Sequence, residues 1–362
     1  MEEDKPRIVV TGISGDLGLR LLPKLKEYRV TGIDLKPPET NLSLQFVQMD
    51  LGLEDACREL FLLMRELRPV AVIHLAFAAE SANSETSDAD RRWQINVGGT
   101  ARVLEAITEV NRDAEIIKKF IFLSCVFAYG PDLSEPVTED HKLEAHTLEI
   151  AIHKMESDQA IQQRAPSARG CSVYVLRSAN FAGAKTSNYW VGTFRGTPNS
   201  RSKLGAKLAG TGKRLPCVLP WGKRSAQNRV QFVHVDDIAR LIQFILRKTE
   251  PEARRLTILN VAGRGEPLTS QRCQEIADAK VMRVPGKWAR RQLLRWQHQF
   301  GLSSIPPEAG IYLSGNAVMD TSRLREFLGA YFEEVIQFTA TDAFSDCFAS
   351  PLREEQHSSA TV

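Results

Sequence analysis

A doubly wound α/β fold, a parallel sheet between two layers of helices followed by a smaller C-terminal α/β region, is what this sequence predicts. Three observations carry that expectation. Short apolar runs alternate with amphipathic stretches through the first half. A glycine-rich turn joins the first apolar run to the first helical pattern. The chain, at 362 residues, is long enough for one large domain or two modest ones. Six runs read as buried strands: RIVV from Arg7, RVTGID from Arg29, LQFVQM from Leu44, VAVIHLA from Val70, KFIFLS from Lys119 and CSVYVLR from Cys171. Helical patterns at 16–28, 54–67, 91–111 and 147–164 separate most of them, which calls for parallel pairing with helices on both faces. From about 184 to 228 the pattern breaks into a Gly-, Ser-, Lys- and Arg-rich region. VQFVHV and LTILNVA then read as later strands, one helix follows Asp236 and Asp237, and another starts at Thr269. No internal repeat is visible. The expected division is a first domain over 1–183, a second region over 184–348 with 229–262 returning to the first, and a flexible tail over 349–362.

Composition narrows the class. The chain is 43% hydrophobic and 25% charged with a net charge of +3, ordinary globular values without a nucleic-acid signature. No apolar run reaches the roughly 18 residues a membrane span needs. The start, MEEDKPR, is too acidic and polar for a signal peptide, so a cytoplasmic location is expected. Six cysteines (57, 125, 171, 217, 273 and 347) are scattered without a CxxC pair, which predicts reduced thiols and neither a disulfide frame nor a metal site.

RIVVTGISGDLG places Gly12, Gly15 and Gly18 between the first strand and the first helix, with Ser14, Asp16 and Leu17 in the same turn. Such a loop makes a tight turn, bares backbone to a pyrophosphate and opens a helix whose free N–H groups attract phosphate. The second strand ends in Asp34, 16 residues past Gly18. A carboxylate there accepts ribose hydroxyls and repels a 2′-phosphate, which favours NAD over NADP, although Lys36 two residues on weakens that preference. Asp50, at the next strand tip with Leu51 after it, belongs either beside the adenine or at the cap of the helix that follows. Leu75 and Ala76 end the fourth strand and complete the expected cofactor-binding set.

These motifs, with several further ones, resemble the extended short-chain dehydrogenase/reductase family, the group of NAD-dependent nucleotide-sugar epimerases and dehydratases. TGISGDLG is similar to its cofactor loop, VIHLAF to its fourth strand and INVGGTARVLEA (Asn96, Gly99, Thr100) to its Asn-x-x-Gly-Thr helix. FLSCVFAYG is similar to its fifth strand, LRSANFAG (Arg177, Asn180, Gly183) to its Arg-x-x-Asn-x-x-Gly, FVHVDDIA to its Val-x-Asp-Asp, and LNVAGRGEPLT and MDTSRLREFLG to its late strand and last helix. The likeness runs from about 7 to 330 and implies a Rossmann-type dinucleotide-binding domain followed by a substrate-binding region. It also implies a homodimer packed through the helices at 91–111 and 147–164.

The resemblance further implies hydride chemistry by a Ser/Thr, a Tyr and a Lys that converge near the nicotinamide. The lysine is Lys154, which would also bind the cofactor ribose, beside Asn96. The tyrosine slot is Ile150, which has no proton to give, and the Ser/Thr slot is Cys125, with Ser124 just before it. No tyrosine lies between Tyr129 and Tyr174, so realignment does not restore one. His153 is a candidate substitute and His146 a second, but Thr147 reads as the helix N-cap, which leaves His146 outside the helix. Tyr129 belongs to the structural Tyr-Gly pair.

Ten Lys/Arg (185, 195, 201, 203, 207, 213, 214, 223, 224, 229) and no Asp or Glu occupy Lys185 to Gln231. That stretch reads either as a solvated basic surface or as the wall of a pocket for an anion. Few aromatics interleave it (Tyr189, Trp190, Phe194, Trp221), so no nucleic-acid partner is expected. Asn180 and Arg229 are the candidate substrate residues. In VPGKWARRQLLRWQHQF, Ala289, Leu293, Trp296 and Phe300 fall at helical spacing, with Arg290, Arg291 and Arg295 elsewhere around the helix. Core packing is the expected fate of that stripe, with a membrane surface or a greasy substrate as the other readings. The expected function is an NAD-binding, epimerase/dehydratase-like oxidoreductase with altered acid–base residues, acting on an anionic, hydroxyl-bearing small molecule. The alternative is a catalytically silent dinucleotide-binding sensor or partner subunit.

Overall fold

The computed structural model describes residues 5–41, 43–78, 88–199, 202–221, 226–248 and 256–349. The predicted tail from 350 onward lies outside them, as do Arg201, Lys223 and Arg224. In chain order the strands are β1 (Arg7–Thr11), β2 (Arg29–Asp34), β3 (Gln45–Gln48), β4 (Ala71–His74), β5 (Lys119–Cys125), β6 (Ser172–Ser178), β7 (Asn180–Ala182), β8 (Cys217–Pro220), β9 (Arg229–Val230), β10 (Phe232–His234), β11 (Leu256–Val261), β12 (Leu268–Thr269) and β13 (Val281–Val284). Seven form one parallel sheet in the order β11-β6-β5-β4-β1-β2-β3. The chain runs outward from β1 through β3, then returns to β4 on the other side of β1. That reversal opens a crevice at the C-terminal ends of β1 and β4, where ligands of such sheets bind.

Strand alternation builds the two cores. Ile8, Val10, Ile73 and Ile121 point to one face with Leu17, Leu21, Leu241 and Ile245. Val9, Val72, Phe120 and Phe122 point to the other with Leu60, Met64, Val103 and Ile107. The first helices are α1 (Asp16–Leu21), α2 (Ala56–Leu67), α3 (Ala89–Trp93), α4 (Gly99–Asp113) and α5 (Glu149–Arg164), with a π turn at Gln94–Gly98 joining α3 to α4. The helix Val235–Arg247 closes the α1 face. Buried Lys119 donates to its last carbonyls, Ile245 O at 2.7 Å and Leu246 O at 3.0 Å.

Four expectations need correction. α1 was expected to reach residue 28, but it ends at Leu21 because Pro23 cannot donate to the ladder, and a 3₁₀ turn follows at Leu22–Lys24. Thr147 is not an N-cap. Its φ is +69°, Leu148 precedes the helix, and the Tyr312 hydroxyl pins the His146 backbone before α5 begins. VQFVHV is not one strand of the main sheet. It divides at Gln231, whose side chain exchanges hydrogen bonds with the Met319 backbone, and β9 pairs with β12 while β10 pairs with β7. The apolar stripe of the helix Lys287–Gln299 is not core: Trp296 is 62% exposed and Phe300 60%, while Arg290 occupies the buried side.

A polar network under α5 fixes that helix. Asp158 and Arg177, both buried, meet through two hydrogen bonds of 2.8 and 3.0 Å. Arg177 also donates to Tyr129 Oη (2.9 Å) and Glu139 O (2.8 Å), Tyr129 donates to Asn260 Oδ1 (2.7 Å), and the Asn260 backbone N–H donates to Glu139 Oε1 (2.8 Å). Asp158→Ala strands the guanidinium and is expected to cost about 3–5 kcal/mol in urea unfolding. Asp158→Leu with Arg177→Met is expected to recover much of that loss, because no lone charge then remains.

Candidate active site

A groove of about 320 Å³ lies at the crevice between β1 and β4. Gly12, Ser14, Gly15, Asp34, Asp50, Leu51, Leu75 and Ala76, eight of the residues expected to bind cofactor, line it. Gly12 has φ +74°, and a Cβ there would stand 2.4 Å from the Ala76 nitrogen, so only glycine permits the turn. A Cβ on Gly15 would meet only Gly12 O, at 3.4 Å, which leaves bare backbone facing the groove. The Ser14 amide donates to Asp34 Oδ2 (2.9 Å) and the Leu35 amide to Oδ1 (2.8 Å). Both carboxylate oxygens keep lone pairs for hydroxyl donors. Asp50 accepts from the Gly52 amide (2.9 Å) and pairs with Arg91, so it ties the rim to α3 and caps no helix. Asp16 pairs with Arg20 at 3.0 Å, and Leu17 and Gly18 are buried. Asn96 is buried and clamps the Ala78 backbone, accepting from its N–H (2.7 Å) and donating to its carbonyl (2.8 Å).

Beyond the groove lies Lys154, 8% exposed. Its ammonium donates to Leu123 O at 2.6 Å and stands 3.9 Å from the centre of the Phe77 ring and 5.1 Å from that of Phe122. Burial lowers its pKa from 10.5 to about 8, with Cys125 and Asp158 acting the other way. Burial pushes the Cys125 thiol up, against Lys154 and the N–H groups of Phe127 and Ala128. The Ser124 hydroxyl is buried and has no partner among the described residues.

The match of a family model to residues 8–262, the NAD-dependent epimerase/dehydratase family, decides the assignment. The chain belongs to the NAD-dependent epimerase/dehydratase family. Solved structures agree on the fold. MoeE5, in complex with UDP-glucuronic acid and NAD, superposes with a TM-score of 0.64 at 15% identity, covering 98% of this chain and 99% of its own. Bordetella bronchiseptica WbmH, in complex with NAD+, gives 0.65 at 18% identity, covering 94% and 97%. Thermotoga maritima UDP-glucose 4-epimerase, with UDP-glucose, gives 0.63 at 19% identity, covering 98% and 99%. No curated protein matches the chain by sequence.

In this member of the epimerase/dehydratase family the other candidates are placed as follows. Ile150 is half-buried and packs against the main core. His153 is buried, with Nδ1 3.1 Å from the Asn96 amide nitrogen and 4.0 Å from Glu149, and burial lowers its pKa. His146 is exposed, and its ring lies 3.1 Å from Glu144 O. Tyr129 is tied to Arg177 and Asn260, and burial pushes its pKa to about 12.

On the substrate side, Asn180 donates to Gln231 O (3.3 Å) and Arg229 is exposed. Within the basic stretch, Arg195 donates to Cys347 O and Arg214 to the carbonyls of Arg195, Phe194 and Ala277, so both hold backbone together. Sequence reasoning missed Arg290, 6% exposed, which donates to Val218 O (3.2 Å) and Gly310 O (2.7 Å). It lines a cavity of about 40 Å³ with Thr193, Gln297 and Ser303, and burial lowers its pKa to about 10. It has no carboxylate in salt-bridge reach among the described residues. Phe77 and Asp158 were missed too. Asp158, one turn beyond Lys154 on the same helix face, was the one with a visible signal.

The folded chain holds the Lys154 proton less tightly than the unfolded chain does. Stability from this site is therefore lowest below pH 8 and rises as the pH climbs from about 8 toward 10.5. Urea unfolding at pH 7 to 10 is expected to show that upward slope, and Lys154→Met to remove it.

Proposed function

We propose that the chain is an NAD-dependent oxidoreductase of the epimerase/dehydratase type, acting on an anionic, nucleotide-sugar-like molecule through its hydroxyl group, with an altered acid–base set. The observation that carries this reading is the alignment of a dinucleotide-shaped groove, with Asp34 at its outer end, and a buried lysine beyond its inner end. The residues fit the cofactor: glycine backbone for the pyrophosphate, two Asp34 oxygens for the adenosine ribose, and Lys154 for the second ribose. That carboxylate favours NAD over NADP. When bound, the dinucleotide supplies the acceptor and donor of hydride. The NAD and nucleotide sugars held by MoeE5 and the Thermotoga epimerase support the same assignment. In this reading 1–183, with 229–262, serves the cofactor, 184–348 serves the substrate, and the chain works in the cytoplasm as a homodimer through α4 and α5.

The proton has to be held by something other than Ile150. Tyr129 and His153 face partners of their own, and burial disfavours the Cys125 thiolate. We assign that role to Lys154, whose pKa burial lowers to about 8. Ser124 and Cys125 flank the position of the substrate oxygen as weak orienting groups.

Calorimetric titration is expected to show NAD binding in preference to NADP, and a panel of nucleotide sugars to include one that reduces bound NAD. Ile150→Tyr is expected to raise that rate by about 10²-fold. Absence of NAD binding overturns the proposal, and NAD binding without turnover in either variant favours the sensor instead. A second outcome concerns Phe77, whose ring covers the Lys154 ammonium that the second ribose needs. Phe77→Ala is expected to tighten binding of the whole dinucleotide while leaving AMP unchanged in the same titration.

A further inference from the structure

The second region carries a surface that the proposed chemistry does not use. The helix Lys287–Gln299 turns Trp288 (74% exposed) and Trp296 (62%) outward together with Arg291 and Arg295, and Phe300 follows at its end. Trp221 (70% exposed) belongs to the same neighbourhood, because its amide donates to Val284 O (3.0 Å) two residues before the turn that opens the helix. At the other end, Gly205 packs on Gly301, which brings up exposed Leu204 with Lys203 and Lys207. A helix that buries Arg290, keeps Leu293 and Leu294 half-buried and exposes two indoles has aromatic groups on the outside for a reason other than the core.

The chain segments that form this surface carry charge of one sign. No Asp or Glu occurs between Asp158 and Asp236, or between Asp278 and Glu308. The two acid-free stretches fold together, since β8 from the first pairs in parallel with β13 from the second. Exposed indoles interleaved with Arg and Lys on acid-free segments match the chemistry of an anionic bilayer surface. Indoles settle at the level of the headgroups, arginine stems lie along apolar surface with their charges at the phosphates, and no spanning segment is required.

We infer that this face, centred on Trp288, Arg291, Arg295 and Trp296, docks the protein reversibly on membranes containing anionic phospholipid. The test uses the full chain and sedimentation with vesicles of phosphatidylcholine, alone or mixed with phosphatidylglycerol. The protein is expected to pellet with the mixed vesicles and to stay in solution with phosphatidylcholine alone, and its tryptophan emission to shift to the blue on binding. Trp288→Ser with Trp296→Ser, and separately Arg291→Gln with Arg295→Gln, are each expected to lower partitioning on the order of tenfold. Both pairs are expected to leave the thermal midpoint in place. The inference is overturned if the mixed vesicles do not retain the protein, or if both double variants bind as well as the parent. It is also overturned if these substitutions dissociate an oligomer in velocity sedimentation, or if polyuridylate binds this face in preference to the vesicles.

Discussion

The site depends on one ion pair that water does not reach. α5 is a poor amphipathic helix: its buried residues are Ala151, His153, Lys154, Ser157, Asp158 and Ile161, more polar than apolar. Hydrophobic burial alone would let such a helix rotate or slide. The Asp158–Arg177 pair forbids that, because any other register leaves a charge buried without its partner. Arg177 lies on β6, and its guanidinium continues to Tyr129 and the Glu139 backbone, while Asn260 on β11 closes the circuit. A network whose every member is satisfied is rigid in a low dielectric. Lys154 is one turn from Asp158 and inherits that rigidity, so its ammonium is aimed at Leu123 and the end of the groove by contacts one turn further along the same helix face.

What could be read without coordinates divides along physical lines. The sheet was legible because buried parallel strands write themselves as apolar runs, and the groove because close backbone approach demands glycine at fixed positions. Asp34 was legible for the same reason: its place follows from a strand end. The second region was less so. Gln231 imitates a strand partner with its side chain, which no pattern of apolar residues reveals, and Thr147 sits at positive φ because a tyrosine 165 residues further on holds its neighbour. The helix after Pro285 was misread because apolar spacing tells which residues share a face, and not which way that face points. Arg290 could not be picked out from Arg291 and Arg295 by type. Only the carbonyls of Val218 and Gly310 distinguish it.

Basic residues within 185–231 show the same limit. Read as a run, ten cations imply an anion. Folded, Arg195 and Arg214 serve as tethers for chain carbonyls, and the charges turned to solvent, among them Lys203, Lys207 and Lys213, face outward. The stretch therefore contributes in two ways that its composition blends together: structural arginines inside, and a field of one sign outside.

The oddest position, Ile150, stands one turn before Lys154 on α5 and carries no titratable group. Where a tyrosine stands four residues before the lysine, a phenolate can form beside the ammonium and hold the lysine's proton. Isoleucine removes that anion and offers only apolar contact. The nearest compensation is Cys125, whose thiol burial keeps protonated, and Asp158, already engaged with Arg177. Desolvation then outweighs attraction and brings the Lys154 pKa from 10.5 to about 8. A lysine in that state is charged at neutral pH, yet gives up its proton at modest cost. It is the state that the proposed proton transfer requires of Lys154, and burial of the ammonium produces it.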